Sequence, residues 1–151
     1  MYTIKNVSGN LLLSNELRLI DEVCFPGDCW SVDTLSSELG NDRVIILAAY
    51  DNDDIVGYLD ASYILDEAEL NRICVLPRCR KCGIADNLIN EFLKQCSVME
   101  ISVVHLEVRS KNDAAVSLYK KHSFLTDAVR KNYYHNPPDD ALLMTLNLKV
   151  R

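Results

Sequence analysis

The stretch Arg78-Cys79-Arg80-Lys81-Cys82-Gly83 gathers three cations and a glycine just before a segment with helical apolar spacing. A helix that starts there presents backbone N–H groups without intrahelical partners and the positive end of its dipole, an arrangement suited to an anion. Gly83 would let a phosphate approach the backbone closely. Glu107 stands near the end of a later β-rich run. It would serve as a base if the reactive end of a bound ligand reached it, although an acid at a strand end is more often simply solvated. Cys79-x-x-Cys82 reads either as a redox pair or as half of a zinc site. The other half would have to be Cys24 with Cys29, or distant histidines, and that spacing fits no standard zinc pattern, so no metal is expected. His105, His122 and His135 show neither ligand spacing nor a nucleophile to activate, and a Ser-His-Asp arrangement has no support.

These residues need elements to position them. Residues 2–7 suit an opening strand. Leu13, Leu17, Ile20 and Cys24 recur at helical spacing until Pro26-Gly27, and Ser31 suits the cap of a short helix carrying Leu35 and Leu39. Arg43 to Tyr50 and Ile55 to Ile64 read as an antiparallel hairpin around Asp51-Asn52-Asp53-Asp54. A strand from Glu69 to Val75 ends at Pro77. A helix follows from Ile84 to about Cys96, with Ile84, Leu88, Phe92 and Cys96 on one face, then a strand from Ile101 to Val108. Strand, helix and strand in that order predict a right-handed crossover with parallel strands. It sets the Gly83 loop and Glu107 at one edge of the sheet, where a crevice could hold a ligand's phosphates and its reactive end together. Asn112 suits the cap of a last helix to about His122, and 126–133 and 141–148 read as closing strands. The predicted fold is α/β: a central mixed sheet with helices on both faces.

The 151 residues are 48% hydrophobic and 25% charged, ordinary values for one globular domain spanning 1–151. With 16 basic and 22 acidic residues the net charge is −6, which disfavours nucleic acid and favours cationic partners. The longest apolar run, Val44 to Tyr50, is too short for a membrane span, and the first residues do not look like an export signal. A cytoplasmic protein with reduced cysteines is the expectation.

Arg80-Lys81-Cys82-Gly83-Ile84-Ala85 resembles the Q/R-x-x-G-x-G/A loop with which GNAT N-acetyltransferases hold the pyrophosphate of acetyl-CoA. Leu106-Glu107-Val108-Arg109-Ser110-Lys111-Asn112 with Ser117-Leu118-Tyr119 is similar to the L-E-V-R-x-x-N…A-L-Y stretch of bacterial ribosomal-protein N-alpha-acetyltransferases, the RimI-like branch. Asn132-Tyr133-Tyr134, Asp140-Ala141-Leu142-Leu143-Met144, Leu65-Asp66-Glu67-Ala68 and Cys24-Phe25-Pro26 with Trp30-Ser31 resemble the same enzymes. The resemblance runs in consistent order over about residues 10–148, and the combination is more specific than any piece.

It implies the GNAT fold and direct transfer of acetyl from acetyl-CoA to an amine. Glu107 becomes the general base and Tyr119 the general acid that protonates the departing thiolate. Arg80, Lys81, Cys82, Gly83, Ile84, Ala85 and Asp86 fall on the pyrophosphate loop, and Asn112 on a position that contacts CoA. Ile73, Cys74 and Val75 fall on the strand that pairs with the pantetheine arm. Phe25, Trp30, Tyr133 and Tyr134 fall to recognition of the substrate N-terminus, in this branch that of a ribosomal protein. The chain would be a monomer or weak homodimer, without nucleic-acid or membrane partners. An α-amine with a pKa of about 7.7–8.0 is roughly one-third neutral near pH 7.5, so a modest base suffices.

Asp86 is a good first-turn residue, yet it sets a negative charge near the phosphate loop. Ser123 stands where the family usually has glycine, which predicts a strained turn. A small-molecule amine is the alternative substrate. A non-catalytic acetyl-CoA-binding or metal-binding module is the reading from another class.

Overall fold

The computed structural model describes residues 2–148. In chain order the elements are β1 (Tyr2–Asn6), a 3-10 turn (Leu11–Leu13), α1 (Ser14–Cys24), α2 (Val32–Leu39), β2 (Val44–Asp51), β3 (Asp54–Ile64) and β4 (Glu67–Val75). A second 3-10 turn (Pro77–Cys79), α3 (Ile84–Val98), β5 (Val103–Arg109), α4 (Asp113–Lys121), β6 (Leu125–His135) and β7 (Pro138–Asn147) follow. They build the expected mixed sheet, in the order β1-β2-β3-β4-β5-β7-β6. Every neighbouring pair is antiparallel except β4 with β5. No helix among the described residues is long and apolar enough to cross a membrane.

The helices form because their apolar positions recur on one side and their ends are capped. Ser31 accepts from the Thr34 N–H at 3.1 Å and Asn112 from the Ala115 N–H at 3.2 Å, as expected. The α3 face of Ile84, Leu88, Phe92 and Cys96 is buried against β-strand residues including Leu47 and Leu59. Full burial of a Leu or Phe side chain stabilises by about 1.5–3 kcal/mol. On the opposite sheet face Leu17, Ile20, Leu35 and Leu39 pack on Ile46, Ala48 and Tyr58. No buried residue of β5, β6 or β7 belongs to this second core, so α1 and α2 leave that half of the sheet face open. The strand expected from Ile101 begins instead at Val103. Glu100 takes a positive φ of 60°, and the Ile101 N–H turns back to Cys96 O at 2.9 Å, which closes α3 and postpones the strand.

The parallel pairing of β4 and β5 is much shorter than the sequence suggests. It holds only for Glu67↔Val103, Ala68↔Val104 and Glu69↔His105. Immediately beyond, the β3–β4 register shifts, from Ala61↔Leu70 to Asp60↔Arg72, so that Asn71 is an extra residue in β4. A bulge bends the strand that carries it, and β4 leaves β5 at this point. The Asn71 amide secures the bulge by donating to Asp60 Oδ1 at 3.0 Å and Ser62 Oγ at 3.2 Å.

Asp60 is fully buried, and its Oδ2 has no hydrogen-bond partner. Burial, reinforced by the Glu38 charge, pushes its carboxyl up to about 8 despite the Asn71 hydrogen bond. The native state therefore holds a proton that the unfolded chain releases near pH 3.9, so stability declines from that pH through neutrality and levels off above about 8. Asp60→Asn is expected to flatten this dependence and to raise stability by about 2 kcal/mol at pH 8, read by urea unfolding at pH 5 and pH 8.

Candidate active site

Where β4 and β5 part, each strand keeps its other partner and leaves an edge bare. The Leu76 N–H donates to Val56 O at 2.8 Å, so in this antiparallel ladder Cys74 turns its backbone groups towards β3. Those of Ile73 and Val75 face the gap. The Val75 carbonyl is already engaged by Arg80 Nε at 3.0 Å and Cys24 Sγ at 3.5 Å. The Cys74 and Val75 side chains are buried, so at this edge they offer backbone alone.

The loop after β4 ends in Gly83, whose φ of 81° favours glycine, and Lys81 is also left-handed at 64°. A Cβ at Gly83 would meet nothing within 4 Å, so the space above it is open. Among the described residues, none of the N–H groups of residues 81–86 has a hydrogen-bond partner; the first bonded one is Asn87, to Gly83 O at 3.0 Å. Six consecutive free donors at a helix start, with Arg80 and Lys81 exposed beside them, form an anion cradle. Ile84 is buried and contributes only its N–H.

The charge of Asp86 is engaged by two cationic or polar partners at the end of α4. His122 Nε2 lies 2.9 Å and Lys121 Nζ 3.1 Å from its Oδ1. Burial works to raise the Asp86 carboxyl, but the hydrogen bonds of these two residues prevail and hold it below the ordinary range. The repulsion expected from the sequence is thus offset within the chain.

Glu107 stands on β5 beyond the last residue paired with β4, and Tyr119 stands on α4. Glu107 is half-buried on β5, on the sheet face that α1 and α2 leave open, and Arg130 Nη1 lies 3.6 Å from it. A cavity of about 160 Å³ opens there, lined by Glu69, His105, Glu107, Asp127, Met144 and Thr145. Its carboxylates suit a cationic amine. A larger groove of about 710 Å³ between β1 and α3 carries none of these groups.

Tyr119 is buried on α4 and packs edge-on against Phe124, ring centroids 5.9 Å apart. Its hydroxyl makes no hydrogen bond among the described residues and is not sealed in. Burial, then the nearby Tyr134, pushes this phenol above its usual value and keeps it protonated. Tyr134 joins the two sites: burial and the Glu107 charge raise it in turn. Arg109 stacks on the Tyr134 ring at 4.1 Å and holds the β6–β7 turn through Pro137 O at 2.7 Å. Tyr133 is more exposed and packs edge-on against Tyr134.

Tyr119 is fixed by the end of its own helix. Phe124 N–H returns to Tyr119 O and Ser123 N–H to Lys120 O, both at 3.0 Å, with Ser123 at a φ of 73°. This is a Schellman closure with a non-glycine residue at its left-handed position, the strain expected from the sequence. Ser123→Gly is expected to stabilise by about 1 kcal/mol, measured as a rise in the unfolding midpoint. Asn112 spends its carbonyl on the α4 cap, which leaves its amide N–H₂ for a ligand.

Phe25 and Trp30 meet around a residue that sequence reasoning passed over. The Arg72 guanidinium lies 3.8 Å from the Phe25 ring centre and 4.9 Å from that of Trp30. It also forms a bidentate pair with Asp21, Nε to Oδ1 at 2.9 Å and Nη2 to Oδ2 at 2.7 Å. Asp21, fully buried, accepts from the Tyr58 hydroxyl at 2.5 Å and the Trp30 N–H at 2.6 Å as well. Burial acts to raise the Asp21 carboxyl, but the hydrogen bonds from Arg72 and Tyr58 lower it further than burial lifts it. The one signal in the sequence was an acid within the apolar stripe of α1, four residues after Leu17. Arg130 opposite Glu107 left no such mark.

The family model described as acetyltransferase (GNAT) family matches residues 15–124. A [ribosomal protein bS18]-alanine N-acetyltransferase of Haemophilus influenzae is 35% identical over 108 residues, 72% of this chain and 73% of that protein. The crystal structure of the ribosomal-protein-S18-alanine N-acetyltransferase from Escherichia coli superposes with a TM-score of 0.91 at 25% identity, covering 100% of this chain and 96% of the other. Arabidopsis thaliana NAA60 in complex with acetyl-CoA shares the fold, with a TM-score of 0.88 at 20% identity over 99% of this chain and 100% of that one. With its bulged β4, its parted parallel strands and its glycine-led helix cradle, this chain belongs to the GNAT family of acetyltransferases.

Proposed function

We propose that the protein transfers the acetyl group of acetyl-CoA directly to the N-terminal α-amine of a protein, and that the protein is ribosomal. The observation that carries this reading is the parting of β4 and β5 with an anion cradle at one end and Glu107 on the open face. The N–H groups of 81–86, with Arg80 and Lys81, would hold the pyrophosphate. The Ile73 backbone groups and the Val75 N–H would pair with the amides of the pantetheine arm, and the Asn112 amide would contact CoA. Glu107 accepts the proton lost by the amine as the N–C bond forms and the C–S bond breaks, and Tyr119 donates to the departing sulfur. Phe25 and Trp30 on the α1–α2 loop and Tyr133 and Tyr134 on the β6–β7 hairpin would border the incoming peptide. The named activity of the Haemophilus influenzae relative supports a ribosomal substrate.

A second reading, a small polyamine as acceptor, draws on the acidic cavity lined by Glu69, Glu107 and Asp127. Mass spectrometry after incubation with acetyl-CoA separates the two. The panel is peptides with free Ala, Ser, Met or Gly termini, N-blocked peptides offering only lysine, and spermidine. Acetylation confined to free N-termini is the expected result, and acetylation of spermidine or lysine alone moves the protein to the second reading.

A further inference from the structure

The β6–β7 ladder breaks register just beyond Arg130. Between Arg130↔Ala141 and Tyr134↔Asp139, residues 131–133 of β6 stand against Asp140 alone. Asn132 takes a left-handed φ of 55°, which asparagine tolerates better than most residues. Asp140 fastens the extra length: its Oδ1 accepts from the Asn132 N–H at 2.9 Å and its Oδ2 from Lys131 Nζ at 3.2 Å. In an unbroken strand, residues three apart point to opposite faces. Here the break brings the Tyr133 ring to the Arg130 guanidinium, 5.4 Å from the ring centre and within cation–π reach.

The same guanidinium reaches Glu107 on β5. β7 lies between the two strands, and opposite both Arg130 and Arg109 it sets Ala141, whose methyl group leaves that row clear. Arg130 Nη1 stands 3.6 Å from Glu107 Oε1, while Glu107 Oε2 has no hydrogen bond or ion pair among the described residues. The other ionisable groups lining the cavity there are Glu69, His105 and Asp127, none of them a fixed cation.

We infer that Arg130 is a positioning residue for acetyl transfer, holding Glu107 by Oε1 so that Oε2 is the oxygen that takes the amine proton. This rests on the reading of Glu107 as the base. A half-buried glutamate has several rotamers open to it, and only those that bring an oxygen to the reacting nitrogen are productive. Arg130, itself held against Tyr133, selects among them. It acts through the carboxylate and not on the acceptor, whose ammonium form carries the same sign of charge.

The test is initial-rate kinetics of acetyl transfer to a free-Ala peptide, or to spermidine if that is the amine acetylated. Five full-length proteins are compared: wild type, Arg130→Met, Arg130→Lys, Glu107→Gln, and Arg130→Met combined with Glu107→Gln. Arg130→Met is expected to lower kcat by about tenfold, and both KM values should stay within about twofold. Arg130→Lys should recover most of the loss, because it returns a cation to Oε1. In the Glu107→Gln background Arg130→Met should cost nothing further, since the residue acts through Glu107. The Arg130 side chain is exposed, so the urea midpoint should not move. An undiminished kcat in Arg130→Met overturns the inference, as does a loss confined to KM for the acceptor. Equal losses from Arg130→Met in the wild-type and Glu107→Gln backgrounds overturn it too. Full activity of Glu107→Gln removes the base itself and the inference with it, whereas a slow Glu107→Gln beside an unaffected Arg130→Met removes the inference alone.

Discussion

Glu107→Gln is expected to slow acetyl transfer by about 10²–10⁴-fold near neutral pH while leaving acetyl-CoA binding unchanged. The substitution keeps the shape of the side chain and removes its ability to take a proton. The anion cradle lies on another element, so affinity for acetyl-CoA, read by calorimetry, should not move. Arg130 loses an ion-pair partner at 3.6 Å, but both groups are partly solvated, so the stability change stays within about 1 kcal/mol. The deficit should narrow as pH rises past the amine's own pKa of about 8, because a neutral amine leaves less for a base to do early in the reaction. Near-full activity across this range would remove Glu107 from the mechanism. Tyr119→Phe is the companion variant, with a smaller expected loss. Burial lifts the phenol further above an ordinary thiol at about 8.5, so complete proton transfer to the sulfur is uphill, and the hydroxyl acts mainly by hydrogen bonding as charge develops.

The largest expected effect on stability is that of Arg72→Leu. It strands the fully buried Asp21 carboxylate, which retains only the Tyr58 hydroxyl and the Trp30 N–H. Removing one partner of a buried pair costs about 3–5 kcal/mol, a large part of a domain's total. The two proteins should also respond oppositely to acid. In the wild type Asp21 is held below its unfolded value, so its contribution is present at neutral pH and is lost as pH falls below about 4 through the native value. In the variant the unpaired carboxyl rises through desolvation, so stability should recover on going from pH 7 to pH 5. Urea unfolding at pH 3, 5 and 7 reads both signs. Equal pH profiles would show that the Arg72–Asp21 pair does not hold this region together. Because Arg72 also fills the space between Phe25 and Trp30, the variant should raise KM for the peptide more than for acetyl-CoA.

Much of the fold was legible because its signals are local. The α3 face and the Ser31 and Asn112 caps each depend on residues within a few positions of one another, and all stand where the sequence put them. Strand ends were less legible. Ile101 has the side chain of a strand residue, but its N–H belongs to the closure of α3. Individual site positions in the loop and on β5 could be named from the chain because a cation-rich glycine loop and an acid at a strand end are visible as residue types.

The sequence by itself therefore determined the order of elements, the apolar faces, the turn at Gly83 and the family to which they point. Tertiary structure decided how these meet. The bulge at Asn71 depends on contacts with Asp60 and Ser62 on the neighbouring strand, and it stands where the predicted parallel pair parts. Asp86 changes from a hazard to a neutralised charge only because α4 brings His122 and Lys121 to it. Asp21 meets Arg72 across roughly fifty intervening residues. Such partners are chosen by the packing of α1 on the sheet, where a buried charge must be satisfied by whatever the far strand presents, and no window of sequence contains both members.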